Sequence, residues 1–305
     1  MELGTERSKS GLLYGLAAYG LWGAVPLYFV YLNRKAVSPE ELLAHRIVWS
    51  MVLLAIIQTC VGRWKELGRC WTVPRTRRTL LLTSLLIAAN WYFYIFAATH
   101  ERLVEASLGY FITPLASAAL GLVVLRERLR RVQTIALLLA AAGVVVLTVQ
   151  TGVLPWLALT LAGSFSLYGL FRKTVAADAL TGLTFESLVL MPFALGWGVW
   201  MQIKGTAAFG HGDSVIDLLL LAASVITVVP LYCFAQAARR LRLSTIGFLQ
   251  YIAPTLQMLV AVTIMDEPFH SAQLYGFVPI WAALAIYSAD AVWAYRKRER
   301  VLVNE

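Results

Sequence analysis

Charge is scarce in this sequence. Asp, Glu, Lys and Arg make up 14% of its 305 residues, against roughly 25% in soluble globular domains. Cysteine is scarcer still. Cys60, Cys70 and Cys233 are odd in number, widely spaced and partly inside apolar runs, which excludes a disulfide framework and a cysteine metal site. His45, His100, His211 and His270 show no ligand spacing, and neither His-Glu-x-x-His nor Gly-x-Ser-x-Gly occurs. An enzyme inside a membrane would need a nucleophile–base pair or metal ligands at depth. The sequence therefore predicts no catalytic residues, no metal, no cofactor and no enzymatic activity.

What is abundant is apolar surface. Hydrophobic residues make up 59% of the chain and the mean hydropathy is +0.70, where roughly 45–50% apolar residues is usual for soluble chains. The excess must face something other than water, and the bilayer is the predicted partner. The net charge of +9 does not point to nucleic acid, because Lys and Arg fall in short clusters between apolar runs and form no basic face.

Helices rise ~1.5 Å per residue, so ~20 apolar residues cross ~30 Å of hydrocarbon. Runs of that kind occur at about 11–32, 39–61, 78–99, 104–124, 132–149, 153–171, 181–203, 214–237, 243–265 and 271–294. They lack the alternation of a membrane barrel, so the predicted fold class is all-α integral membrane, with ten transmembrane helices. The first run is too long for a cleaved signal core and reads as a retained helix. With the loops assigned alternately to two sides, 21 of the 26 Lys and Arg residues fall on the side of both termini and 4 on the other. The positive-inside rule then places both termini in the cytoplasm.

A shift of 140 residues superimposes five runs on five and aligns Gly23/Gly163, Tyr28/Tyr168, Tyr92/Tyr232, Arg102/Arg242, Pro114/Pro254 and Glu127/Glu267. Five is odd, so the second half (151–305) would enter the membrane in the opposite sense to the first (1–150). Inverted five-helix repeats with a site near the midplane are a recurrent transporter design. An old duplication with only a structural legacy is the other reading.

Depth within the runs selects candidate residues for a substrate cavity: Trp22, Asn90, Trp91, Tyr94, Tyr110, Phe111, Pro114, Tyr168, Gln250, Tyr251 and Pro254, with Phe165, Tyr232 and Phe248 at the same level. Pro114 and Pro254 each free a carbonyl deep in a helix, as a cavity wall or as a packing kink. Gly23 and Gly163 suit close helix approach. Aromatic rings with a few amides suit an amphipathic or aromatic substrate. Arg46 and Glu186 coincide at the 140 shift, too far apart along the membrane normal to meet. Each is expected to find a local partner: Glu105 or Glu41 for Arg46, and Arg239 or Arg240 for Glu186. Together with His45 they read either as two polar clusters that close alternately, one of them carrying a coupling proton, or as anchors of helix ends. Asp290 is expected at the interface, and Glu127 and Glu267 as caps or arginine partners.

The strings EELLAHRIVWS (40–50), NWYFYIFA (90–97), EASLGYFITPL (105–115), RERL (126–129), GSFSLYGLFRK (163–173) and AARRLRLSTIGFLQYIAPT (237–255) resemble the RarD branch of the EamA, or drug/metabolite transporter, superfamily over nearly the whole chain. Thr113 departs from the Asn of the family's "INPL", which puts an essential role for that position in doubt. The resemblance implies two EamA-like repeats, a central cavity and a multi-pass inner-membrane permease. Its implied function is secondary transport of small amphipathic metabolites or drugs by alternating access in the export direction, with amino acids and chloramphenicol-like compounds as candidate substrates. The expected partners are a small-molecule substrate, the lipid bilayer and a proton as candidate coupling ion, with the chain a monomer or homodimer. A channel or lipid scramblase is the alternative. No pore filter or polar helix stripe is visible for either.

Overall fold

The computed structural model describes residues 2–124, 126, 130–211, 213–240 and 249–303. All regular structure among them is helical: α1 (Glu2–Arg34), α2 (Pro39–Val61), α3 (Trp64–Thr72), α4 (Pro74–Thr99), α5 (Leu103–Val124), α6 (Arg131–Thr151), α7 (Trp156–Thr174), α8 (Ala179–Lys204), α9 (Ser214–Arg240), α10 (Ile252–Thr263) and α11 (Ser271–Val303). Seven of these (α1, α2, α4, α5, α6, α8 and α9) hold a stretch long and apolar enough to cross a bilayer. Large apolar side chains face outward along them, with Leu85 66%, Phe193 75% and Ile203 78% exposed. Such a surface is stable only against lipid, so the chain is an all-α, multi-pass membrane protein.

Local chemistry sets the helix ends. The Ser38 hydroxyl accepts from the Glu41 N–H at the start of α2, Pro39 takes the first helical position, and Gly62 ends the helix at φ 72°. Asp178 accepts from the Thr181 N–H at the start of α8. Short polar side chains satisfy the free N–H groups of a first turn, and a positive φ suits glycine.

Helices pair mainly across the two halves of the sequence. α2 packs on α8 and α9, α1 on α9 and α10, α5 on α7 and α10, α4 on α7 and α8, and α6 on α11. The backbones of α5 and α7 come close enough at Gly109 that a Cβ there would lie 2.7 Å from the Ala158 carbonyl oxygen, the close approach that small residues permit in membranes. Of the two glycines singled out above, Gly23 abuts Leu256 of α10, whereas Gly163 faces open space, with no neighbouring atom within 4 Å of where a Cβ would stand.

Two features depart from the sequence reading. The connection at 62–77 contains α3, whose Leu67 and Cys70 are buried while Trp64 and Trp71 are exposed. Its buried side faces α4 and α8, with the Trp71 ring 4.4 Å from Phe185. Nine residues are too few for a span, which hid the helix from a search for long apolar runs. The two prolines are also not equivalent. Pro114 sits inside an unbroken α5, whereas Pro254 is the third residue of α10, after a turn at 250–251. Proline in a first turn gives up no intrahelical hydrogen bond, so the interruption lies before Pro254 instead of at it. Residues 241–248 of the ninth apolar run, with Phe248, and Glu127 lie outside the described residues, as does the side chain of Arg239.

Candidate functional site

α2 and α8 pack together antiparallel. The Glu41 carboxylate, at the start of α2, accepts from the N–H groups of Ala208 (2.8 Å) and Phe209 (3.0 Å), just beyond the end of α8. At the opposite end Arg63 pairs with Asp178 at 3.2 Å. Arg46 and Glu186 each lie seven residues into one of these helices, so they approach the bundle centre from opposite ends. α4 serves both: Thr83 touches Glu186 and Trp91 touches Arg46, eight residues and ~12 Å apart along the helix.

Arg46 has no carboxylate partner among the described residues. Its Nε donates to the Thr227 hydroxyl on α9 at 2.8 Å. The guanidinium lies 4.5 Å from the centre of the Trp91 ring and 5.8 Å from that of Phe29. Neither expected partner reaches it. Glu41 precedes it by five residues, which turns the two side chains to different faces of α2. Glu105 is taken by Arg102 Nε at 2.9 Å and by the Leu157 N–H at 3.2 Å, where a carboxylate favours the N-terminus of α7. His45 lies beside this cluster, with Nδ1 accepting from the Trp49 indole at 2.9 Å and its ring 4.6 Å from Phe209.

Glu186 accepts from the Thr83 hydroxyl at 2.7 Å and the Tyr168 hydroxyl at 3.1 Å, with Arg172 Nη1 3.8 Å away. Of the two expected cations, Arg239 has its side chain outside the described residues, and Arg240 bonds the Gln236 carbonyl at 3.0 Å and covers the Tyr14 ring at 5.1 Å. Tyr168 and Arg172 are four residues apart on α7 and so share a face. That spacing, within 163–173, is the signal that identifies Arg172 as the partner. Asp178, which caps α8, is outside the spans. Burial raises its carboxyl, but hydrogen bonds from Thr181, with Arg63 nearby, outweigh that and hold it below its ordinary value.

Asn90 joins three helices. Its amide donates to the Leu161 carbonyl (3.1 Å) and the Ser164 hydroxyl (3.0 Å) and accepts from the Tyr110 hydroxyl (3.2 Å). Both amide hydrogens are thereby used within the protein. Tyr94 is buried beside Tyr110, 5.4 Å between rings. Phe111 faces the other way, 6.3 Å from Phe277 and 6.1 Å from Trp281 on α11, because adjacent helical residues point ~100° apart. Trp22 packs with Tyr19 and Phe234. Tyr251 is half-buried against the large core and bonds Ser288 of α11, and Pro254 is buried, with Gln250 beside them half-buried. The structure thus gathers Trp91, Tyr94, Tyr110 and Asn90 about Arg46, puts Tyr168 with Glu186, and sends Phe111 and Tyr251 elsewhere.

Glu267, expected as a cap or arginine partner, and Asp290, expected at the interface, also have definite places. Glu267 accepts from the N–H groups of Leu103 (2.7 Å) and Val104 (3.0 Å), capping α5 from the other half of the chain. Burial pushes its carboxyl up. Asp290, expected at the interface, is buried and pairs with Arg130 at 2.7 Å, since α11 packs along α6 at that level.

Residues 9–149 match the model of the EamA-like transporter family. The chain is 41% identical over 293 residues to Protein RarD of Salmonella typhi, covering 96% of this chain and 99% of that protein. It is 42% identical over 289 residues to an uncharacterized transporter of Vibrio cholerae, covering 95% of each. Its fold resembles a solved crystal structure with a TM-score of 0.57 at 21% identity, covering 92% of this chain and 98% of the other.

Proposed function

The chain belongs to the RarD branch of the EamA-like transporter family, and we propose that it is a secondary transporter moving small amphipathic metabolites or drugs by alternating access. In this reading ten helices cross the inner membrane as two inverted repeats, residues 1–150 and 151–305, with both termini cytoplasmic and net flux outward. The three crossings beyond the seven above are α7, α11 and the run that ends in α10.

The pattern of helix packing supports the repeat. A shift of 140 residues carries α1, α2, α4, α5 and α6 onto α7, α8, α9, α10 and α11. It exchanges the α5–α7 pair with α10–α1, α4–α7 with α9–α1, and α2–α9 with α8–α4, and it leaves α2–α8 and α6–α11 unchanged. Even the caps correspond, with Ser38 falling on Asp178.

The observation that carries the mechanism is the pair of buried charges at corresponding positions. Arg46 is held by a threonine of α9 and Glu186 by a threonine of α4, and the repeat equates those two helices. Buried charges inside a membrane protein are costly and face its interior or a pathway. Two such clusters at opposite ends of one helix pair are suited to open in turn.

Counterflow in liposomes tests the proposal. Purified full-length chain, with chloramphenicol and labelled amino acids as probes, is expected to give saturable flux that unlabelled substrate on the far side accelerates. Flux that neither saturates nor responds to the far side would mark a channel and overturn the carrier reading.

A further inference from the structure

An arginine inside a membrane protein cannot escape its charge, because the guanidinium does not lose its proton. Nature usually provides a carboxylate, as Glu186 is provided with Arg172. Arg46 has been given aromatic rings and one hydroxyl. Ring faces attract a cation weakly and do not neutralise it. Its Nη1 is buried and has no hydrogen-bond partner among the described residues, and the same holds for the hydroxyl of Tyr94. Both residues are more than nine-tenths buried. They converge on one ring, with the Arg46 guanidinium 5.8 Å and the Tyr94 ring 6.0 Å from the centre of Phe29.

Buried donors without acceptors are rare, and each calls for an explanation. A carboxylate explains both. It would accept from Nη1 and from the Tyr94 hydroxyl, while Thr227 holds Nε and fixes the guanidinium plane. The walls around that position, Phe29, Trp91 and Tyr110, are aromatic. We propose that Arg46 and Tyr94 form the anchoring subsite for the carboxylate of a substrate whose body is flat and apolar. The inference rests on the transport reading above and narrows its substrate class. Arginine suits this task through its rigid fork of donors.

The test uses the full-length protein in detergent. Phenylacetate, indole-3-acetate and 2-naphthoate are compared with their amides through the rise in Tm each produces, since a ligand of the folded state stabilises it by mass action. The carboxylates are expected to bind about tenfold or more tightly than the amides, the scale of a charge-assisted hydrogen bond. Arg46→Gln is expected to abolish that preference without lowering the Tm of the ligand-free protein, because it removes an uncompensated buried charge. Tyr94→Phe, which deletes one hydroxyl, is expected to weaken carboxylate binding several-fold and leave the amides unchanged. Amides that bind as well as acids, a panel in which nothing binds, or variants that keep the preference would each overturn the proposal. Chloramphenicol counterflow by the same purified protein reconstituted in liposomes separates the two readings. Flux without carboxylate preference leaves the transporter standing and removes the subsite, and carboxylate binding without flux does the reverse.

Discussion

Asn90→Leu removes a side chain that ties α4, α5 and α7 together by hydrogen bonds. The amide makes three: to the Leu161 carbonyl, to the Ser164 hydroxyl and from the Tyr110 hydroxyl. Side-chain hydrogen bonds between membrane helices average ~0.6 kcal/mol each and reach ~1.7, so three amount to about 2 kcal/mol. The partners fare differently once the amide is gone. The Ser164 hydroxyl still donates to the Leu161 carbonyl at 3.2 Å. Tyr110 loses the bond its hydroxyl makes, and an orphaned buried hydroxyl adds about 1 kcal/mol. The expected destabilisation is therefore about 2–3 kcal/mol, read from reversible unfolding in mixed micelles titrated with denaturing detergent. A double-mutant cycle with Tyr110→Phe isolates the Asn90–Tyr110 bond, with an expected coupling of about 0.6 kcal/mol or more. A loss under ~0.5 kcal/mol for Asn90→Leu alone would refute the reasoning, because the residue would then not be the structural knot these distances describe.

Gly109→Ala pushes a methyl group to 2.7 Å from the Ala158 carbonyl and is expected to cost about 1–3 kcal/mol of stability; Gly163→Ala, with open space around it, is expected to be neutral or to stabilise by up to ~1 kcal/mol through helix propensity, and equal thermal shifts in the two variants would contradict the packing described. Burial holds the Glu267 carboxyl above its ordinary 4.5, so the folded chain binds that proton more tightly than the unfolded one. Stability from this group is full below about pH 4.5 and is lost as pH rises through the raised folded value. The Tm of the native protein should therefore fall relative to that of Glu267→Gln as pH rises above about 4.5, and a constant difference would count against it. If Glu186 carries a coupling proton, Glu186→Gln in liposomes retains exchange of substrate for substrate and loses flux driven by a pH gradient; undiminished proton-driven flux would end that idea. Arg172→Met strips Glu186 of its cation and should cost about 3 kcal/mol or more through an uncompensated buried charge, so a Tm like that of the native chain would show the 3.8 Å pair to be incidental.

The sequence was legible wherever one physical force acts on many residues at once. A bilayer imposes length and apolarity on every crossing, so nine of the ten predicted runs coincide with described helices, and the remaining one, 243–265, coincides in its second part, α10. Residues of distinctive chemistry recur at a constant offset of 140, and the helix pairings repeat at that offset. The burial of Arg46 and Glu186 likewise followed from their depth within apolar runs. Features carried by few residues were harder to read. α3 is short and half polar, and nothing in 62–77 marks it except Leu67 and Cys70 one turn apart. The break at 250–251 precedes Pro254, because a proline is accepted in a first turn and only shows that the helix must start nearby.

By itself, then, the amino-acid order determined the solvent this protein lives in, the length of its apolar runs and which charges leave water. Partnership was decided by tertiary structure alone. Glu41 and Glu105 stand as close to Arg46 in depth as any carboxylate, yet backbone N–H groups of neighbouring loops and helix ends claim them. Helix rotation settles such matters: a turn of ~100° per residue sends Tyr110 to Asn90 and Phe111 to Trp281, and it leaves Arg46 on an aromatic wall with an open donor.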